Sequence, residues 1–319
     1  MTDKALIQEA ELLAERIVSS IAIERAANPN LTKSAILFLS TGTQPTNCYL
    51  TPIRQVADTV FIGVVVNNTF VPQQMAKLLD GEFDYFIIDA EKKIPLSVSG
   101  DLSSLDTGNL SKKIGSVVTQ SNLLFFKPSD VTVEAAWSQM SALGINSGGE
   151  LVAILGMGNI GTKLALRCLE SGLNVRISRR DHAKGREISN VLSMICGPNV
   201  LSNISYHESS LSACFRANLV LGTASTHDLI DLEHVLVADE SAIFFDLGKD
   251  NISVAALDQI ENTNRYAYRV DVTDALRAKV LEAIETHRRM SSVEFGKREE
   301  DGVVFCSRGI LARSGEIIV

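Results

Sequence analysis

The sequence predicts a two-domain α/β fold, in which an N-terminal βα-rich domain precedes a doubly wound parallel sheet, and three observations predict it. Strand-sized apolar runs alternate with segments of helical spacing through both halves. A glycine-rich turn set between a short apolar run and an amphipathic segment opens the second half. Between the halves, a helix-like stretch leads into NSGG at 146–149, the clearest turn cluster of the chain. A length of 319 residues fits about two such domains.

The first domain begins with MTDKALIQEAELLAERIVSSIAIERAA, where Leu6, Ala10, Leu13, Ile17 and Ile21 recur at helical spacing. Acidic residues from position 3 onward distinguish it from a signal peptide, which needs a basic start and an unbroken apolar run. Apolar runs at 35–40, 59–66, 85–89 and 123–126 are expected to be strands, with helices between them near 46–57, 71–80 and 109–118. The longest of these runs is strand-sized, so no membrane span is expected, and the chain is expected to be cytoplasmic. A connecting helix is expected from Ser129 or Asp130, either of which can serve as its N-cap.

In the second half, LVAIL reads as a buried strand, TKLALRCLESG as a helix and NVRIS as the next strand. The turn between the first two holds Gly156, Met157, Gly158, Asn159, Ile160 and Gly161, the G-x-G-x-x-G spacing. In that spacing the first glycine makes the tight turn, the second lets the main chain approach a pyrophosphate and the third packs helix on strand. With strand, turn and helix all present, a Rossmann domain that binds a dinucleotide is expected. An NAD-binding domain usually carries an acid at the end of the second strand, about 20 residues further on. Ser178, Arg179 and Arg180 stand there instead, and Asp181 follows late. A hydroxyl and two guanidiniums bind a 2′-phosphate that a carboxylate would repel, so the expected cofactor is NADP. The same four residues also fit a solvated, self-paired charge run. Further strands are expected at 217–225 and 241–250, ending in Thr223, Ala224 and Ser225 and in Asp246 and Gly248, which are expected to line the nicotinamide end. The run at 265–272 is the last expected strand of this sheet, and a helix from Leu276 returns to the first domain.

This layout resembles the two-domain dehydrogenases of the shikimate dehydrogenase and glutamyl-tRNA reductase type, which share their build with the NADP-dependent methylene-tetrahydromethanopterin and methylene-tetrahydrofolate dehydrogenases. PSDVTVEAAW at 128–137 is similar to the N-T-D-G segment that opens the connecting helix in shikimate dehydrogenases, with Val131 in place of the glycine. That resemblance implies a catalytic role for Asp130. NTFVPQQMAKLLDGEFDYFI at 68–87 is similar to a V-T-P-x-x-V-x-x-L-x-D-G segment of the methylene-pterin enzymes. The implied domains are 1–128, an α/β substrate domain joined by the segment 276–319, and 129–275, the NAD(P)-binding domain with its connecting helix.

Hydride transfer asks the protein to hold two carbons together and to move a proton. Lys127, at the end of an expected strand, and Asp130 are the candidate acid and base; the alternative is a surface lysine and a helix cap. Ser40, Thr41, Thr43 and Asn47, in the polar stretch after the first strand, are candidates for substrate binding, or for a capped loop. Cys48 lies beside them and is expected to be a buried structural thiol rather than a nucleophile. Five cysteines without a C-x-x-C pair and five scattered histidines predict neither a disulfide framework nor a metal site. A formal charge of -8 argues against a nucleic-acid partner. The end of the chain, GVVFCSRGILARSGEIIV, is expected to form a β-hairpin that covers a sheet edge or joins subunits, so a homo-oligomer is expected. The expected function is an NADP-dependent oxidoreductase acting on a small polar metabolite or a methylene-pterin bound between the domains; the alternatives are a shikimate dehydrogenase-like enzyme, or a dinucleotide-binding regulatory protein without catalysis.

Overall fold

Helix α1 (Asp3–Ala27) buries Ala10, Leu13, Ile17 and Ile21 on one stripe, with Leu6 partly covered, as the spacing of its apolar residues requires. The computed structural model describes residues 3–40, 48–91, 110–145, 149–196, 202–291, 296–306 and 309–319. The chain divides into two units, Met1–Pro128 with Leu276–Val319, and Ser129–Ala275.

In the first unit, β1 (Lys33–Ser40), β2 (Tyr49–Leu50), β3 (Arg54–Val56), β4 (Thr59–Val66), β5 (Tyr85–Asp89) and β6 (Asn122–Phe126) form one sheet of order β2-β4-β1-β5-β6, with β3 also on β4. Strands β1, β4, β5 and β6 run parallel, and α2 (Phe70–Leu79) and α3 (Leu110–Gly115) lie along the crossovers. Strands β1, β4 and β5 are covered on both faces, which is why they read as unbroken apolar runs. The phenyl rings of Phe38 and Phe86 meet edge to face at 5.8 Å in this core. Burying each such large side chain contributes about 2 to 3 kcal/mol.

The helix expected near 46–57 is not formed at its described residues. Tyr49–Leu50 and Arg54–Val56 pair antiparallel with β4 instead. Pro52 has no N–H to give a helix, and Thr51 fastens the segment to β4: its N–H donates to the Gly63 carbonyl at 2.8 Å, and its Oγ1 accepts from Gly63 N at 2.9 Å.

The second unit contains α4 (Pro128–Ala142), β7 (Leu151–Leu155), α5 (Asn159–Glu170), β8 (Asn174–Ser178), α6 (His182–Cys196), β9 (Ile204–His207), α7 (Ser210–Cys214), β10 (Leu219–Gly222), α8 (Leu232–Val237), β11 (Ile243–Asp246), α9 (Val254–Asn262) and β12 (Tyr266–Arg269). Its six strands are all parallel in the order β12-β11-β10-β7-β8-β9. Counted along the chain, this is the 3-2-1-4-5-6 order of the Rossmann fold, with β7 as strand 1. Helix α4 begins at Pro128, so Ser129 and Asp130 lie inside its first turn and neither is the N-cap. Proline suits that first position because its missing N–H has no partner there to lose. Two ladder contacts join α4 to α5: Lys163 pairs with Asp130, and Arg167 grips Glu134 with both nitrogens at 2.6 and 2.9 Å.

Helix α10 (Thr273–Ser291) buries Val280 and Ile284, and its Arg288 binds both oxygens of Asp58 at 2.9 and 3.1 Å. Beyond it, β13 (Lys297–Glu300) and β14 (Val303–Cys306) form a hairpin about Asp301 and Gly302, both at positive φ. Strand β15 (Ile317–Ile318) then joins β14 in parallel. The hairpin therefore uses KREE as its first strand, not the two runs of the terminal segment. The reason is the turn: Asp301-Gly302 supplies the two positive-φ residues that a tight hairpin needs.

Asp80, after α2, accepts hydrogen bonds from the N–H groups of Thr119, Gln120 and Ser121 and the hydroxyl of Thr119 at 2.7 to 3.2 Å. Burial alone would raise its pKa; the bonds from Ser121, Thr119 and Gln120 outweigh that and bring it down to about 2. A depressed carboxylate pKa gives stability that is present above the ordinary value near 4 and is lost as pH falls through 2. Replacing Asp80 by Asn is expected to cost on the order of 1 to 2 kcal/mol at pH 7. In thermal melts, the gap between the variant and the parent should narrow from pH 5 to pH 2.

Candidate functional site

The parallel strands of the second unit all point their carboxyl ends to one edge, where the loops after β7, β8, β10 and β11 meet. At the first of these, Gly156 has φ 97°, and a Cβ on it would lie 2.7 Å from Ala224. A Cβ on Gly161 would lie 2.3 Å from the Gly156 carbonyl and 2.6 Å from Thr223 Oγ1, so α5 can approach β7 only with glycine there. Around Gly158, by contrast, a Cβ would meet nothing within 4 Å. The space lies at the N-terminus of α5, where helix amides have no intrahelical partners and suit an anion. Met157 is buried in the core, so of this residue the loop offers its main chain.

The turn after β8 is joined to this loop twice. Gly156 N donates to the Ser178 carbonyl at 3.0 Å, and the Arg179 guanidinium donates to the Met157 carbonyl. Ser178 is buried, Arg179 half-buried and Arg180 exposed. Asp181 directly precedes α6, and its carboxylate accepts from Lys184 N at 3.1 Å. The late acid is thus a helix cap, which explains its displacement from the strand end.

The expected nicotinamide-end residues have distinct positions. Thr223 is buried, with its Oγ1 turned back onto the Leu155 carbonyl at 3.1 Å and onto the Gly156 carbonyl, so it braces the glycine loop. Ala224 is half-buried and Ser225 exposed. Asp246 is buried, accepting from Gly248 N at 3.1 Å, Asp250 N at 2.8 Å and Arg269 at 3.2 Å; it shapes its own loop. A Cβ on Gly248 would lie 2.0 Å from the Ala224 carbonyl, so the loops after β10 and β11 touch there. The residue that ties them together is Asn251, fully buried: its Nδ2 donates to the Ala224 and Thr226 carbonyls at 2.7 and 2.6 Å and its Oδ1 accepts from Gly248 N at 3.1 Å. Nothing in the local sequence marks Asn251, because its partners on the β10 loop are 25 and 27 residues away.

The proposed acid and base lie in plainer surroundings. Lys127 is exposed rather than buried, and the exposed carboxylate of Asp130 is engaged by Lys163. In the first unit, Ser40 closes β1 and donates both its N–H, at 3.1 Å, and its hydroxyl to Asp89, a fully buried carboxylate at the end of β5. Thr41, Thr43 and Asn47 lie outside the described residues. Cys48 is buried, and burial, with the Glu9 carboxylate, pushes its thiol up to about 11, as expected of a structural cysteine. Among the described residues there is no group of three His, Cys, Asp or Glu side chains that could hold a metal ion, and no helix is long and apolar enough to cross a membrane.

No family model and no curated protein matches the chain. Among solved structures, it is similar to the CAD of Helicobacter pylori complexed with NADP(H), at 14% identity over 50% of this chain and 43% of that one, with a TM-score of 0.35. It is also similar to the L-tryptophan dehydrogenase of Nostoc punctiforme, at 11% identity over 81% and 75% of the two chains and a TM-score of 0.45. The ornithine carbamoyltransferase of Pyrococcus furiosus is matched at 9% identity over 89% and 94%, with a TM-score of 0.48. The chain thus spans less than half the length of the first of these structures.

Gly161 and Gly158 separate close packing from open space. In a helix, Gly to Ala ordinarily stabilises by about 1 kcal/mol. Gly161→Ala is expected to reverse that sign and lower the melting temperature by several degrees, whereas Gly158→Ala should leave it within about a degree. Equal melting temperatures for the two variants would overturn this assignment.

Proposed function

We propose that the second unit binds a nicotinamide dinucleotide, NADP in preference to NAD, and that the protein is an oxidoreductase acting on a small polar metabolite. The observation that carries the reading is the open space at Gly158, in the turn after the first strand of a 3-2-1-4-5-6 sheet and at the N-terminus of the following helix. The main-chain N–H groups from Gly158 to Ile160 hold the pyrophosphate there. Ser178, Arg179 and Arg180 at the end of β8 favour a 2′-phosphate, with no carboxylate at that strand end to repel it. Ala224, Ser225 and Gly248 are small enough to let the nicotinamide ring lie against the backbone of the β10 and β11 loops. The bound cofactor supplies hydride chemistry; Lys127 and Asp130 are the residues assigned to moving the accompanying proton, and Ser40, Thr41, Thr43 and Asn47 to the polar groups of the substrate. A homo-oligomer, joined through the C-terminal strands, belongs to the same reading.

A second reading, a dinucleotide-binding regulatory protein without catalysis, is favoured by one observation: the Asp130 carboxylate already neutralises Lys163.

Titration of protein fluorescence with NADPH and NADH tests the binding. NADPH should bind at least tenfold more tightly, and the combined Arg179→Ala, Arg180→Ala variant should lose that preference. Binding of neither nucleotide would remove the proposal. Oxidation of NADPH against a panel of small carbonyl and imine metabolites then separates the two readings. In the enzyme, Lys127→Ala and Asp130→Asn lower turnover on the order of a hundredfold or more while NADPH affinity stays; in the regulatory protein no substrate is turned over.

A further inference from the structure

The turn from Ser178 to His182 carries two adjacent arginines that have different surroundings. Arg179 reaches back to the glycine loop and donates to the Met157 carbonyl. Arg180 is exposed and has no hydrogen-bond or ion-pair partner among the described residues. A free guanidinium on a loose turn is a poor reader of phosphate, because ordering the turn on binding costs affinity.

The turn is held from the neighbouring strand. Tyr206 on β9 stands opposite Ile177 of β8. Its hydroxyl donates to the Arg179 carbonyl at 3.4 Å and shares a hydrogen bond with His182 Nδ1. One side chain therefore grips both residues that flank Arg180 and Asp181. Its ring fills the space over Gly185, where a Cβ would lie 2.2 Å from Cε2, and the Arg186 guanidinium sits 5.7 Å from the ring centre. Arg186 is in turn neutralised by Glu208 at 2.7 Å, and Asp181 lies 3.9 Å from Lys184, so Arg180 is the cation of this turn left to meet a ligand. Burial and the Glu208 carboxylate raise the Tyr206 pKa against the opposing pull of Arg186, so the hydroxyl remains a donor at neutral pH.

We propose that Tyr206 is the positioning residue for cofactor selection: it holds the turn so that Arg180 meets the 2′-phosphate, while Arg179 serves the glycine loop. The inference rests on the NADP reading above and divides the labour between two arginines that the sequence presents as equivalent.

The experiment is the same fluorescence titration, with NADPH and NADH, on the full chain carrying Tyr206→Phe, Arg179→Ala or Arg180→Ala, each checked by thermal melting. Tyr206→Phe keeps the ring over Gly185 and removes only the hydroxyl. It should weaken NADPH about threefold to tenfold and leave NADH within about twofold. Arg180→Ala should weaken NADPH about tenfold or more, again sparing NADH, whereas Arg179→Ala should weaken both nucleotides, because it releases the pyrophosphate loop. If Tyr206→Phe melts below the assay temperature, His182→Ala, which removes the other partner of the hydroxyl, carries the same expectation. The proposal is overturned if Tyr206→Phe weakens both nucleotides equally or neither, or if the two arginine variants behave alike. A wild type that binds neither nucleotide overturns the cofactor reading itself, and this one with it.

Discussion

The close approach of α5 to the end of β7 is the constraint on which the second unit depends. At Gly161 the helix comes so near the Gly156 carbonyl that no side chain fits between them, and Thr223 fills the remaining space by bonding back to the same strand end. This contact sets where the first amides of α5 point. It also fixes the path of the β10 loop, because Ala224 packs against Gly156. The open position at Gly158 contrasts with it: of the three glycines of the loop, Gly156 and Gly161 have no room for a Cβ and Gly158 does. A site formed in this way is preorganised by packing, so its geometry costs little when a ligand arrives.

Most of the fold could be read from residue patterns, and the exceptions have physical causes. The buried parallel strands were legible because strands covered on both faces consist of unbroken apolar residues. Strands β2 and β3 were not, since two- and three-residue pairings at a sheet edge have no periodicity to detect, and only the partner strand decides their conformation. The start of α4 was misplaced because serine and aspartate are good caps, yet Pro128 is fit to be the first helical residue and Asp130 finds a cation on α5. Likewise the terminal hairpin turned on Asp301-Gly302, a dipeptide that precedes the runs of apolar residues. In the candidate site, the strand, glycine turn and helix were legible because local spacing marks them. Asn251 and Tyr206 were not, as both act on main-chain atoms about 25 residues away in sequence, through contacts that exist only after the sheet has formed.

Both units show how buried carboxylates are kept by hydrogen bonds. Asp246 and Asp89 each stand at the end of a central parallel strand, and each is satisfied by donors from the loops around it. An unpaired carboxylate in such a place would cost several kcal/mol. Satisfied, it fixes the loop that leaves the strand: Asp246 orders Gly248 to Asp250, including two residues at positive φ, and Asp89 orders Ser40 and Glu91. These two carboxylates are therefore structural.

Charge adds a last step to this argument. The chain carries a formal charge of -8, so its long-range field repels anions. Yet the segment from Arg179 to Glu187 holds Arg179, Arg180, Lys184 and Arg186 against Asp181 and Glu187, a local excess of positive charge. Screening confines each of these charges to about 8 Å at physiological salt, so an anion close to this turn feels its local excess and not the charge of the surface at large. Within the turn, Asp181 serves the helix, Arg186 pairs with Glu208 and Arg179 holds the glycine loop, which leaves Arg180 facing outward. On the proposed reading, discrimination by one guanidinium demands that its backbone stay in place, and the hydrogen bonds of Tyr206 to the residues on either side supply that constraint. On the proposed NADP reading, the selectivity of this edge is thus a property of a fixed turn on an acidic protein, set by packing between β9 and α6 more than by the number of basic residues.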